Sequence, residues 1–252
     1  MTFEIDLEGR RALVTGGGQG VGRAISLALS SAGASVAVND YVAERAEAVA
    51  KEITAAGGEA EPVPFDVTDY AAVTSAVAAA GPFDILVNNA GNAGTATFSM
   101  RFFHETEPDE WDRYFGVNLH GVLYCSRAVV PGMIERGRGG RIITIVSDAG
   151  RWGEPRLVAY SAAKAGAAGF SRALARELGR YQITVNNIAL GSIRPGADAD
   201  DPEVQRSFRG YILRRPGQPE DPAGLVTFLA SQHAAWISGQ TYPVNGGYTV
   251  NQ

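Results

Sequence analysis

Apolar and polar residues follow two alternating periods along this chain. Short continuous apolar runs are typical of buried strands, and longer segments with apolar residues at i, i+3 and i+4 are typical of amphipathic helices. Strands are predicted at residues 11–15, 34–39, 84–87, 141–146 and 183–189, and a further strand is expected to end within residues 62–65. Helices are predicted at residues 20–32, 42–56, 70–80, 108–136 and 158–180.

This alternation predicts an α/β fold: a doubly wound parallel sheet of about seven strands, a Rossmann fold, with helices on both faces. The 252 residues suffice for one large domain, and no Pro-, Gly- or Ser-rich linker divides them, so we expect a single domain over residues 1–252. Residues 192–219 have no clear period. A loop of this length in a compact domain is typical of a substrate lid.

Composition excludes several classes of function. The net charge is −5, without a basic run, which argues against a nucleic-acid partner. No apolar run is long enough to predict a membrane span. Cys125 is the single cysteine, and residues 1–10 do not resemble a secretory signal, so a cytoplasmic protein is expected. No metal site is predicted, because no ligand spacing is seen among the histidines His104, His120 and His233.

A glycine-rich turn lies between the first predicted strand and the first helix. Glycines allow the backbone to approach a pyrophosphate at a helix N-terminus, although turn glycines are also common without a ligand. Asp40 ends the second strand, where a carboxylate can accept both hydroxyls of an adenosine ribose; a solvated turn or helix cap is the alternative. The candidate residues of the turn are Gly16, Gln19, Gly20, Val21 and Gly22.

Tyr160 and Lys164 occur at the start of a predicted helix, in the segment YSAAK. A spacing of four places them on one helix face. A free phenol has a pKa near 10, and an adjacent ammonium is expected to lower it and so make the tyrosine a usable base. An isolated pair of this kind is common on solvated helices, so its interpretation depends on the surrounding motifs.

Those motifs resemble the short-chain dehydrogenase/reductase family in its single-domain branch. The segments TGGGQGVG, DILVNNAG, GVNLHG, IVSDAG and YSAAK occur in the family's order and spacing, and the stretch from GQPEDPAG to NGGYTV is similar to its C-terminal region. The resemblance covers about residues 6–250. Within the family, the chain is similar to the 3-oxoacyl reductase and hydroxyacyl dehydrogenase members.

The resemblance implies four catalytic residues. Tyr160 would exchange a proton with the substrate oxygen, Ser147 would bind that oxygen, Lys164 would serve the tyrosine and the cofactor ribose, and Asn118 would anchor a proton-relay water. Plain structural roles, a strand-end serine and a buried helix asparagine, are the alternatives for Ser147 and Asn118.

The resemblance also implies further contacts to NAD. Asp66 and Val67 would flank the adenine, although Asp66 could instead cap the following helix. The chain departs from the family after the sixth strand: Leu190 replaces the usual proline, and Arg194-Pro195 stands where a threonine is common. The Ile193 backbone could still bind the carboxamide. The implied cofactor residues beyond the glycine turn and Asp40 are Asp66, Val67, Asn89, Ala90, Gly91, Tyr160, Lys164, Gly191 and Ile193.

The expected activity is therefore NAD(H)-dependent interconversion of a secondary alcohol and a ketone, on a small molecule such as a hydroxyacyl, 3-oxoacyl or bulky alicyclic substrate. The family pairs the Asn118 and Tyr160 helices between subunits, which implies a homotetramer. A catalytically silent cofactor-binding protein, a nucleotide-sugar epimerase and a methyltransferase are the alternatives. The expected apolar walls of the substrate pocket are Phe98, Met100, Phe102, Phe103, Trp152, Phe208 and Tyr211, and its candidate cations are Arg101, Arg151, Arg194, Arg206 and Arg209.

Overall fold

The structure, a computed structural model, describes residues 4–91, 101–198 and 200–250. Seven parallel strands form one sheet in the order β3-β2-β1-β4-β5-β6-β7, which confirms the predicted doubly wound α/β fold. The strands are β1 (Arg11–Val14), β2 (Ser35–Val38), β3 (Ala60–Pro62), β4 (Ile85–Asn88), β5 (Gly140–Ser147), β6 (Ile183–Leu190) and β7 (Thr241–Val244). The helices are α1 (Gly20–Ser31), α2 (Ala43–Ala55), α3 (Tyr70–Ala80), α4 (Pro108–Phe115), α5 (Gly121–Arg136), α6 (Val158–Leu178), α7 (Pro202–Ser207) and α8 (Ala223–Ala230).

Both faces of the sheet are buried. Successive strand residues point to opposite faces, so Val14 joins a core cluster with α1, α2 and α8, and Leu13 joins a second cluster with α3, α5 and α6. The strands therefore read as continuous apolar runs instead of alternating ones, which explains why their positions could be predicted.

The predicted helix over residues 108–136 contains an irregular turn. Between α4 and α5, Gly116–His120 form a π turn, and this turn carries Asn118. A second π turn, Ala149–Gly153, follows β5 and was not predicted. Single π turns inside helices are frequent at functional sites. The third strand also lies earlier than expected, at Ala60–Pro62.

The strand order places the functional residues at one edge of the sheet. Strand β1 pairs with β2 on one side and with β4 on the other, so the order in which strands are added to the sheet reverses between β1 and β4. In open α/β sheets, ligands bind at such a point, outside the carboxyl ends of the strands. The glycine turn follows β1, and Ser147 ends β5 at the same edge.

Candidate active site

The glycine-rich turn between β1 and α1 leaves a helix N-terminus open to an anion. Helix α1 begins at Gly20, its N-cap Gln19 makes no side-chain capping bond, and its first turn has no acidic residue. The first N–H groups of a helix have no intrahelical partner and carry the positive end of its dipole. The turn therefore offers the kind of surface that a pyrophosphate requires.

Steric contacts explain two glycines of this turn, and backbone conformation explains a third. A Cβ atom added to Gly22 would lie 2.0 Å from the Gly16 carbonyl oxygen, and one added to Gly16 would lie 2.9 Å from the Ala90 Cα atom. A side chain at either position would push the turn away from the end of β4. Gly20 has a φ of +52°, in the left-handed region that favours glycine.

Thr15 and Asn89 fix the turn to β4. The Thr15 hydroxyl accepts hydrogen bonds from the N–H groups of Asn89 and Ala90, both at 3.0 Å. The Asn89 side-chain amide donates to the carbonyls of Thr15 and Gly16. Thr15 was not among the predicted site residues, and its sequence signal is its position between the strand and the first glycine.

Asp40 lies beside the turn, at the carboxyl end of β2. It is only 3% exposed. Its Oδ1 atom accepts a hydrogen bond from the Val42 N–H group at 3.0 Å, and its Oδ2 atom lies 2.7 Å from where a Cβ atom on Gly18 would be. The N-cap of α2 is Val42, so Asp40 is neither a solvated turn residue nor the helix cap.

Asp66 and Val67 follow β3, in a segment that is tied to the end of β2. The Asn39 side-chain amide donates to the carbonyls of Val63 and Phe65 at 3.1 and 3.0 Å. These bonds bring the segment to the sheet edge next to the glycine turn, where an adenine is expected.

The alternative interpretation of Asp66 as a helix cap is wrong. Helix α3 is capped by Asp69, whose carboxylate accepts hydrogen bonds from the N–H groups of Ala71 and Ala72. The Asp66 carboxylate instead accepts bonds from the N–H group and the hydroxyl of Thr68, both at 2.8 Å.

Ser147, Tyr160 and Lys164 converge at the carboxyl end of β5. Ser147 is the last residue of that strand, and Tyr160 and Lys164 lie one turn apart near the start of α6. Tyr160 forms a hydrogen bond with Ser147. The Lys164 ammonium lies 5.9 Å from the centroid of the Tyr160 ring. The structure thus brings Ser147 and Tyr160, which were predicted to act at one substrate oxygen, next to Lys164.

Burial sets the charge state of the lysine and the tyrosine. Lys164 is 4% exposed and donates a 2.9 Å hydrogen bond to the Ile145 carbonyl, and burial lowers its pKa to about 8. Burial raises the pKa of Tyr160 above its usual 10, and the hydrogen bond with Ser147 offsets this in part. The expected lowering by Lys164 is not seen, because its ammonium is directed at the Ile145 carbonyl. Tyr160 is therefore a protonated acid near neutral pH.

Asn118 lies next to the lysine. It is fully buried in the π turn, and its side-chain amide donates to the Tyr114 carbonyl at 3.0 Å. A Cβ atom added to Gly91 would lie 2.9 Å from the Lys164 amine and 3.2 Å from the Asn118 Oδ1 atom. Gly91 is therefore the point at which the lysine and the asparagine meet, and a side chain there would displace the Lys164 amine.

Gly191 and Ile193 lie between β6 and the expected lid. The Gly191 N–H group donates to the Val244 carbonyl at 3.2 Å, and Ile193 forms a parallel bridge with Gly217. The hydrogen bonds of this bridge are made by the two residues that flank Ile193. The N–H and C=O groups of Ile193 itself therefore point away from Gly217. The contact of the Ile193 backbone with the carboxamide stays a prediction.

Similarity to known proteins agrees with this geometry. The family model described as short chain dehydrogenase matches residues 10–205. This chain belongs to the short-chain dehydrogenase family. Its sequence is 38% identical to sorbitol dehydrogenase of Cereibacter sphaeroides over 96% of this chain and 98% of that one. It is 36% identical to 7alpha-hydroxysteroid dehydrogenase of Escherichia coli over 96% and 94%.

A similar solved structure contains NAD. The 3-oxoacyl-[acyl-carrier protein] reductase of Brucella melitensis with bound NAD superimposes on this short-chain dehydrogenase with a TM-score of 0.89 and 35% identity, over 98% of this chain and 94% of that one. These names confirm the predicted class of activity, an oxidoreductase acting on alcohol and carbonyl groups. Nothing in them favours the catalytically silent alternative.

The expected substrate pocket of the dehydrogenase needs two corrections. Phe208 is 2% exposed and packs against Tyr211 with ring centroids 4.7 Å apart, so Phe208 belongs to the packed interior instead of an open wall. Tyr211 lines a cavity beside Gly191 and Ile193 instead of the pocket that contains Tyr160. Trp152 is largely exposed. The expected wall residues Phe98 and Met100 lie outside the described residues.

A buried carboxylate follows Ser147 and was not predicted. The Asp148 side chain accepts hydrogen bonds from Arg151 at 2.8 Å, from the Asn245 amide at 2.6 Å and from the Thr249 hydroxyl at 3.0 Å. These four residues, the Asp148 clasp, join the π turn after Ser147 to the segment after β7. The clasp fixes the backbone that carries the serine.

Among residues 4–91, 101–198 and 200–250, the dehydrogenase contains neither a candidate membrane span nor a candidate metal site. No helix in these ranges combines the length and hydropathy of a membrane span. No three His, Cys, Asp or Glu side chains in them are grouped as metal ligands would be.

Replacing Lys164 with Met is expected to abolish turnover and to stabilise the dehydrogenase. The pKa of Lys164 is about 8 in the folded protein and 10.5, its ordinary value, in the unfolded chain. The unfolded chain therefore binds more protons between these values, and the stability of the wild type rises with pH across this window. At pH 7 the substitution should raise the free energy of unfolding by about 1–3 kcal/mol, less any loss of the Ile145 bond.

Urea unfolding at pH 7 and at pH 10 measures this effect. Lys51→Met is the matched control, because the side chain of Lys51 is 80% exposed. It should change the free energy of unfolding by less than about 0.5 kcal/mol. A Lys164→Met variant that is less stable than the wild type at pH 7 would contradict the pKa lowered by burial.

Proposed function

We propose that this chain is an NAD(H)-dependent dehydrogenase that interconverts a secondary alcohol and a ketone, with Tyr160 as its acid and base. The observation that carries the proposal is the hydrogen bond between Ser147 and Tyr160. The buried Lys164 follows Tyr160 by one turn of the same helix. A spectrophotometric screen for oxidation of NADH over ketones, 3-oxoacyl thioesters, sugars and steroids tests it. Turnover that disappears in a Tyr160 variant supports the proposal; turnover that persists contradicts it.

The residues divide the chemistry with the cofactor. A bound nicotinamide accepts a hydride in oxidation and donates one in reduction. The Ser147 hydroxyl binds the substrate oxygen and holds it beside Tyr160. In reduction the Tyr160 phenol gives its proton to the developing alkoxide, and in oxidation the phenolate removes it. Lys164, one helical turn from Tyr160, would serve the ribose hydroxyls, and Asn118 would anchor a water that exchanges protons with Lys164.

NAD is the proposed cofactor, in preference to NADP. The buried Asp40 carboxylate can accept the ribose hydroxyls and would repel a 2′-phosphate. Gln19 in the turn and Tyr41 after β2 offer no cation for that phosphate. Asp66 and Val67 would flank the adenine, Asn89, Ala90 and Gly91 would border the cofactor, and Gly191 and Ile193 would receive the carboxamide.

The substrate is proposed to enter under a lid formed by residues 192–219 of a single domain. This segment contains α7 and begins and ends at the bridge between Ile193 and Gly217. Segments anchored at both ends in this manner can move as a unit. The cytoplasmic location and the lack of a nucleic-acid partner stay predictions.

A homotetramer is the proposed assembly. The resemblance supports this assembly, because the family pairs the Asn118 and Tyr160 helices between subunits. Multi-angle light scattering is expected to give about four times the chain mass of 26.5 kDa. A monomer at micromolar concentration would be the contrary result.

A further inference from the structure

A pocket beside α4 and the start of α6 reaches Tyr160. Its aromatic wall is the pair Phe103 and Trp111, whose rings stack with centroids 5.0 Å apart. Two cations, Arg101 and Arg156, also line it. Because this pocket touches the proposed acid and base, the charge of its lining bears on which substrate can be bound there.

One of the two cations is already neutralised. Arg101 forms an ion pair with Glu110, which lines the same pocket, and it also donates to the Glu105 carbonyl at 2.6 Å. A guanidinium held by a carboxylate has little capacity left for a second anion.

Arg156 has no such partner. Among residues 4–91, 101–198 and 200–250, no carboxylate forms an ion pair with it, and the sequence of residues 92–100 contains no Asp or Glu. Its guanidinium lies 4.6 Å from the centroid of the exposed Phe102 ring. Contact with an aromatic face orients a guanidinium while its N–H groups stay available at the edge.

The backbone of Arg156 is also unusual. Its φ is +66°, in the left-handed region that L side chains rarely adopt. Strain of this kind persists where the surroundings hold a residue for function. Nothing in the turn itself requires an arginine there, because asparagine or glycine would adopt this conformation more readily.

Three of the other arginines that the sequence suggested are engaged elsewhere. Arg151 pairs with Asp148 and Arg206 lies near Glu203, whereas Arg194 packs over an aromatic ring of the lid. None of these three is among the residues that line the pocket with Tyr160.

We propose that Arg156 binds an anionic group of the substrate, so that the enzyme acts on alcohols and ketones that carry a carboxylate or a phosphate. The inference rests on the proposed function, because it takes Tyr160 as the acid and base. The planar fork of the guanidinium can bind two oxygens of either anion at once, and the stacked Phe103 and Trp111 rings would hold the apolar part of the molecule.

Matched pairs of ketones test the proposal. Oxidation of NADH is followed with 4-oxopentanoate and its methyl ester, and with dihydroxyacetone phosphate and dihydroxyacetone. In the wild type, the charged member of at least one pair should be favoured about tenfold or more in kcat/KM. Arg156→Asn should remove that preference mainly through KM, with the neutral member within about twofold, and Arg156→Lys should retain part of it. The pair that responds distinguishes a carboxylate from a phosphate.

Arg180→Asn is the matched control. Arg180 is likewise exposed and its guanidinium likewise lies over an aromatic ring, 4.8 Å from the Tyr181 centroid, but it does not line this pocket and lies outside the lid. Melting temperatures check that both variants fold. Arg180→Asn should leave the ratio of charged to neutral kcat/KM unchanged. An Arg156→Asn variant that keeps the wild-type preference for the charged ketone would overturn the role of Arg156. So would a wild type that reduces the neutral ketones without preferring the charged ones. Either result would leave the proposed function intact.

Binding of the same four compounds provides a measurement that does not depend on turnover. Trp111 lies in the pocket wall, so its fluorescence should respond to an occupant, and Trp111→Phe identifies its signal. Saturable binding of an anion that is lost in Arg156→Asn supports the inference even without turnover. Undiminished binding in that variant, or none in the wild type at millimolar concentration, overturns it. Absence of turnover with every ketone, despite binding of NADH, counts against the proposed function alone.

Discussion

Replacing Tyr160 with Phe is expected to lower kcat by about 10²–10⁴-fold while the affinity for NADH stays nearly unchanged. The substitution removes the hydroxyl that hydrogen-bonds to Ser147 and little volume. The buried Lys164 and the glycine turn are untouched. Steady-state kinetics with any substrate found by the NADH screen, together with NADH fluorescence titration, measure the two quantities separately.

Tyr181→Phe is the matched control for this substitution. Tyr181 lies in a short turn before β6, away from the carboxyl ends of the strands, and the same loss of a hydroxyl should leave kcat within about twofold. A Tyr160→Phe variant that retains more than a tenth of the wild-type kcat would remove Tyr160 from the mechanism. A variant that also fails to bind NADH would indicate a structural role.

The second large effect concerns the choice of cofactor. The wild type is expected to prefer NAD over NADP by at least about tenfold in kcat/KM, because the Asp40 carboxylate accepts the ribose hydroxyls and repels a 2′-phosphate. In Asp40→Ala the preference for NAD should decrease, chiefly because kcat/KM for NAD falls by about 10–100-fold. The reason is that hydrogen bonds to a charged group are lost. Kinetics with both cofactors measure this.

Arg45 provides the control for this experiment. Its guanidinium lies 5.9 Å from the centroid of the Tyr41 ring, and it is the nearest cation that could swing toward a phosphate. Arg45→Ala should leave the ratio of the two kcat/KM values unchanged. A wild-type preference for NADP, above all one that is lost in Arg45→Ala, would refute the role given to Asp40.

Most of the fold could be predicted because it depends on local patterns. Buried parallel strands read as apolar runs, and the helices between them have their own period, so the alternation was visible without any tertiary information. Tyr160 and Lys164 could likewise be placed on one helix face from their spacing alone.

Features that depend on contacts distant in sequence could not be predicted. The π turn at Gly116–His120 has no signature of its own, and its position is explained by the convergence of Asn118, Lys164 and Gly91. The direction of the Tyr160 pKa was also missed, because it depends on burial and on where the Lys164 amine points. Arg156 was overlooked because a left-handed backbone cannot be read from an arginine in a loop.

The Asp148 clasp has a consequence for how the enzyme becomes competent. Asn245 and Thr249 lie 97 and 101 residues after Asp148, so the bonds between them close a very long loop of chain. Contacts of such high sequence separation form late, after the entropy of closing the loop has been overcome. Helices and the first strand pairs can therefore form while the backbone behind Ser147 is still unanchored. Catalytic competence is accordingly expected only after the segment that follows β7 has docked against Asp148.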